Sequence, residues 1–159
     1  MQKWHTILTL KIKDFSVATE CLLDSGADVN VLREGLIPTK YFEKTNYTIG
    51  LATNKDHMQI RYKLNNAHVC LNGQCIKTNF IIGKGLTNNV ILGTPFLTKL
   101  QPFTVDSDGF NTTFNNTQLL FKFINTIQMH ELNKIQTDIT FKTNNISHLK
   151  QRSFDATNP

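Results

Sequence analysis

A chain of 159 residues, 40% hydrophobic and 18% charged, is one domain by size with a modest core. Its formal net charge of +5 comes from scattered Lys and Arg rather than runs, which argues against a nucleic-acid groove and for a role in solubility. No stretch approaches the roughly 20 apolar residues of a membrane span, and the N-terminus lacks a signal-peptide core. A soluble, intracellular protein with neither membrane nor direct nucleic-acid partners is expected.

Taken in order, His5 to Ile12 alternates Ile7, Thr9 and Lys11 against Leu8, Leu10 and Ile12, the period of a half-buried strand. A turn at Lys13-Asp14-Phe15 leads to a second strand, Val17 to Leu23, which delivers Asp24 into Ser25-Gly26. A charge at the end of an apolar run must be neutralised, hydrogen-bonded or used. Gly26 carries no side chain, so this loop can pack closely against another loop or a ligand. Val29 to Leu32 is mostly apolar again, and Pro38 closes a mixed connection.

Two β-prone arms, Tyr47 to Ala52 and Met58 to Tyr62, enclose the polar tip Thr53 to His57 and predict a hairpin. Cys70-Leu71-Asn72-Gly73-Gln74-Cys75 predicts a second, with a two-residue Asn-Gly turn that sets Leu71 opposite Gln74 and Cys70 opposite Cys75. Three cysteines without metal-ligand spacing suggest neither a disulfide scaffold nor a zinc site. A cross-strand bond between Cys70 and Cys75 is geometrically open, but free thiols are the expectation for a reducing cytosol. Cys21 reads as a buried apolar filler.

Val90 to Leu92 is a short buried strand ending at Gly93. Pro95 with Phe96, Leu97 and Leu100 predicts one or two helical turns, the single helix expected, closed before Pro102. Phe103 to Asp106, a turn at Ser107-Asp108-Gly109 and a strand from Leu119 to Ile124 complete the folded part, residues 1–124. Residues 125–159 are rich in Asn, Thr, Lys and Gln, and read as a linker or tail.

Leu22-Leu23-Asp24-Ser25-Gly26-Ala27, followed after β-rich sequence by Ile91-Leu92-Gly93, resembles a retropepsin, the half-size aspartic protease of retroelements. The wording Ile91 to Leu97 and Gln101-Pro102-Phe103 is most similar to plant pararetroviruses of the caulimovirus and tungro bacilliform kind, with gypsy-type retrotransposons next. The resemblance runs from about Thr6 to Ile124 and implies an all-β acid-protease fold with a flap hairpin and one short helix. It implies an aspartic endopeptidase that processes its own polyprotein in the host-cell cytoplasm or the virus particle, with a reverse transcriptase commonly following the tail.

The resemblance makes Asp24 the catalytic carboxylate, Ser25 the hydroxyl that ties two active loops together, and Gly26 the residue that permits their approach. Ala27 and Asp28 match positions that hold the substrate backbone; Ala52, Thr53 and Asn54 fall at the flap tip, and Ile91, Leu92 and Gly93 beside the substrate pockets. Two departures stand out. Many members carry glycine at the flap tip, where this chain offers Asn54, and many carry Arg after the second glycine to pair with the acid matching Asp28, where this chain has Thr94.

Aspartic proteolysis uses two carboxylates that share a proton across one activated water. This chain holds one Asp-Ser-Gly, so the second carboxylate is expected from a second copy in a two-fold homodimer. No metal or cofactor is called for. Substrates would be extended polyprotein segments with apolar side chains flanking the cut. The competing expectation is a retropepsin-like dimerisation or peptide-binding module with little proteolysis.

Overall fold

The computed structural model describes residues 3–50 and 57–125. These residues form ten strands: β1 (Lys3–Ile12), β2 (Phe15–Asp24), β3 (Val31–Arg33), β4 (Glu43–Gly50), β5 (His57–Leu71), β6 (Gln74–Gly83), β7 (Val90–Leu92), β8 (Phe103–Val105), β9 (Gly109–Phe114) and β10 (Thr117–Lys122). The one α-helix among the described residues, α1 (Thr94–Leu97), starts with Pro95 in its first turn and runs into a 3-10 turn, Thr98–Leu100, as the sequence predicts. A second 3-10 turn covers Thr39–Tyr41.

Seven strands follow the order β1-β2-β7-β3-β6-β5-β4, and β1 also pairs with β5, which closes six of them into a barrel. Closure removes sheet edges that would otherwise template aggregation. Alternation then sorts the side chains: Leu8, Leu10 and Ile12 of β1 face inward while Ile7, Thr9 and Lys11 face out. The remaining strands form a second sheet, β10-β9-β8. Phe110 and Phe121 of that sheet are fully buried and meet edge to face at 5.9 Å, with Phe96 of α1 against Phe121 at 6.2 Å. These contacts lock the helix between barrel and second sheet, and each such pair contributes about 1 kcal/mol beyond its buried area.

The structure departs from the expected elements in two places. β5 runs unbroken through Lys63 to Ala67, because a bulge between Leu64 and Ala67 absorbs Asn65 and Asn66, the latter at φ 65° with its N–H donating to Asn79 Oδ1. β9 lies in a stretch without the apolar period of a strand; Asn115 and Asn116, both at positive φ, make the tight turn that pairs it with β10.

Asn72 and Gly73 both take positive φ, and the hairpin register puts Leu71 opposite Gln74 and Cys70 opposite Cys75. Contrary to the free thiols expected, Cys70 and Cys75 are joined in a disulfide. Directly opposed positions across a tight turn bring the two sulfurs within bonding reach, whatever the average habit of the compartment. Cys21 is free and wholly buried, and that burial pushes its thiol well above the usual range. Titration with a thiol reagent should therefore find none reactive in the native oxidised protein, one after denaturation, and three after denaturation with a reductant. A reactive thiol in the native state contradicts this account.

Candidate active site

β2 leaves the barrel interior at Asp24, where the chain turns through Ser25 and Gly26. Leu23 is fully buried, Asp24 is half-buried, and Ser25 and Gly26 are exposed. The turn is held locally: Gly26 N–H donates to Asp24 Oδ1 at 2.9 Å, and Ala27 N–H to the Asp24 carbonyl at 3.2 Å. One carboxylate oxygen is thus committed to the loop's own backbone. The carboxylate is aimed by its own turn.

The second half of the site comes from far along the chain. β7 inserts between β2 and β3, parallel to the first (Leu22 opposite Ile91, Leu23 opposite Leu92) and antiparallel to the second. Gly93 then falls against the 27–29 backbone. A Cβ on Gly93 would lie 2.4 Å from the Ala27 carbonyl oxygen and 2.6 Å from that of Val29, so the position admits glycine alone. Thr94 N–H donates to the Ala27 carbonyl at 2.8 Å, and Phe96 and Leu97 N–H to the Gly93 carbonyl. The two sequence signals read separately above form one unit here.

Strand alternation separates the residues expected to line substrate pockets. Ile91 is half-exposed and joins Val29, Ile49, Met58 and Leu86 around a buried trio of Val31, Ile60 and Ile81. That patch is apolar, and its half-exposed members leave surface for further apolar groups. Leu92, placed with Ile91 by the sequence, instead points into the barrel core with no exposure, because neighbours on a strand face opposite ways. Asp28 is exposed and Ala27 half-buried; Thr94 meets the loop through its backbone. Ala52, Thr53 and Asn54 lie outside the described residues, while the hairpin arms below them, β4 and β5, pair down to Gly50 opposite His57.

Sequence reasoning overlooked Asn30. It is buried, accepts from Gly93 N–H at 2.9 Å through Oδ1, and donates from Nδ2 to the Asn79 carbonyl at 3.2 Å. It ties the end of β7 to β6. A lone Asn inside the short run Val29 to Leu32, just after the Asp24–Asp28 loop, looks like turn chemistry, and no sequence signal separates the two. A groove of about 380 Å³ beside β5, bordered by Glu34, Arg61, Tyr62 and Lys84, includes no residue of the 24–28 loop.

The family described as retroviral aspartyl protease matches residues 2–103, which takes in both Asp24 and Gly93. The chain belongs to that family. The Tf2-3 and Tf2-4 transposon polyproteins of Schizosaccharomyces pombe are each 24% identical over 148 residues, covering 90% of this chain. The chain spans 11% of the length of those polyproteins. A crystal structure of the retroviral protease-like domain of Ddi1 from Leishmania major superposes with a TM-score of 0.53 at 18% identity, covering 77% of this chain and 95% of that one. It establishes the shared retropepsin-like fold, all-β with a barrel and one short helix.

Proposed function

We propose that this domain is an aspartic endopeptidase that cuts the polyprotein of a retroelement, using a water held between Asp24 of one chain and Asp24 of a second. The observation that carries the reading is Asp24 at the mouth of a loop pinned by Gly93 and Thr94, exposed enough to meet a partner and held too firmly to be a casual turn. Among the described residues no other carboxylate stands before Ser-Gly or Thr-Gly, so one chain supplies half of the chemistry.

In the dimer one Asp24, ionised, accepts a proton from the water as it attacks the scissile carbonyl. The other, protonated, donates to the carbonyl oxygen; as the C–N bond breaks, the proton taken from the water passes to the leaving amine and the hydroxyl proton returns to the second carboxylate. Two carboxylates this close share one proton, because both ionised would repel. Ser25 and Gly26 sit where the two loops would touch. The apolar patch that includes Ile91 and Met58 would receive the side chain next to the cut, and the β4–β5 hairpin would close over the peptide as a flap.

The Tf2 relatives favour a retrotransposon polyprotein as the source; a plant pararetrovirus rests on the wording around Gly93 alone. The residues after 124 would link the domain to the next polyprotein unit, with the whole acting in the host-cell cytoplasm. The competing role, a dimerisation or peptide-binding module, draws support from the fold shared with the Ddi1 domain, and the retained Asp24 counts against it. The test is cleavage of a precursor carrying the domain and its flanking junctions, wild type beside Asp24→Asn. Cutting by wild type alone supports the protease. Two inert proteins that are folded and dimeric support the module.

A further inference from the structure

β7 has three residues and makes two residue pairs with each neighbour, yet it carries Ile91 to the cleft and Gly93 to the active loop. Two backbone pairs on a side hold a register weakly, and a slip of one residue would send Ile91 inward and Leu92 out. The strand is therefore stapled at its ends. Asn30 holds the far end. At the near end Asn89 N–H donates to Glu20 Oε1 at 2.7 Å, Asn89 Nδ2 donates to Thr19 Oγ1 at 3.0 Å, and the Asn89 carbonyl accepts from Arg33 N–H at 2.9 Å.

Glu20 is unusual in this role. Its side chain is 2% exposed, four residues before Asp24 on the same strand. Its second oxygen, Oε2, is buried without a hydrogen-bond partner and lies 4.0 Å from His5 Nδ1, itself buried and without a partner. Burying a carboxylate costs several kcal/mol unless it is compensated, and a folded chain tolerates that only where the group holds something in place. An imidazole nitrogen that needs to move by about 1 Å to donate is such compensation.

We propose that Glu20 is a positioning residue of the cleft: its buried carboxylate, backed by His5, fixes the register of β7 and through it the placement of Ile91. This rests on the protease reading for its consequence in catalysis, and on hydrogen bonding alone for the clamp. Glu20→Leu leaves the Asn89 N–H buried without its acceptor, whereas Glu20→Gln keeps an Oε1 for it.

Two readouts test the proposal on the full chain. In hydrogen exchange, Glu20→Leu should lower the protection of the Val90–Leu92 amides about tenfold more than that of the β5–β6 amides, and Glu20→Gln should restore it. In peptide cleavage, Glu20→Leu should raise KM about tenfold with kcat within roughly twofold, because β7 supplies the cleft wall while Asp24 stands on β2; Glu20→Gln should recover KM. If Glu20→Leu does not fold, Thr19→Val removes the other half of the clamp near-isosterically and should loosen the same amides less. Unchanged relative protection of β7 in these variants overturns the proposal. A folded wild type without activity overturns the protease reading instead, and the exchange data then decide the clamp alone.

Discussion

Asp24→Asn is expected to reduce peptide cleavage on the order of 10⁴-fold or more, while leaving the fold and thermal midpoint close to wild type. An amide can neither accept the proton of the attacking water nor donate one as an acid, and general acid and base catalysis each contribute about 10²–10⁴-fold. The substitution acts twice, since the same position furnishes both roles in the proposed dimer. Stability should hold because Asn Oδ1 still accepts from Gly26 N–H, the Asp24 side-chain bond that shapes the turn. A purified Asp24→Asn protein that cleaves at more than a tenth of the wild-type rate contradicts the assignment. So does one that fails to fold, because Asp24 would then be a structural residue.

Gly93→Ala should be nearly as damaging by a different route. The added methyl would sit inside the contact distance of two backbone carbonyl oxygens, Ala27 at 2.4 Å and Val29 at 2.6 Å, and neither can swing aside as a flexible side chain would. Relief requires moving the active loop or lifting β7, which also stretches the Thr94 N–H bond to Ala27 and the Gly93 N–H bond to Asn30. Overpacking of this kind costs about 3 kcal/mol, a large part of the 5–15 kcal/mol typical of a domain. Activity should fall at least tenfold even at temperatures where the variant remains folded, because the loop that aims Asp24 is displaced. Gly50→Ala is the control: nothing lies within 4 Å of its added carbon, so urea unfolding should shift by no more than about 0.5 kcal/mol. Equal costs at the two glycines would remove the argument for a built active loop.

The parts of the fold that follow from local chemistry were legible in the sequence. Alternation marked β1, the apolar run into Asp24 marked β2, Asn72-Gly73 marked the β5–β6 turn and its register, and Pro95 marked the start of α1. The union of Asp24 with Gly93 was accessible as two signals in order, but the parallel insertion of β7 between β2 and β3 is a non-local pairing that no window of sequence contains. The same limit hid the buried polar residues. Asn30 and Asn89 stand beside apolar strands as turn residues would, and Glu20 sits within β2 as a surface residue would; their roles appear only when a distant partner arrives. β9 was missed for a local reason: its Asn and Thr residues lack an apolar period, and Asn115-Asn116 is a weaker turn signature than Asn-Gly. Leu92 was placed at the cleft because the resemblance was carried over to the whole of β7, whereas the two-residue period of a strand turns it into the core.

The most direct measurement is the rate of precursor cleavage by a fixed amount of wild-type protein as folded Asp24→Asn protein is added. If the site is assembled from two chains, mixed dimers carry one carboxylate, and the rate should fall toward zero as the variant exceeds the wild type several-fold. The wild type alone should likewise lose specific activity on dilution. A rate that stays constant through a tenfold excess of folded Asp24→Asn protein, and that scales linearly with wild-type concentration, would contradict a site shared between two copies of this chain.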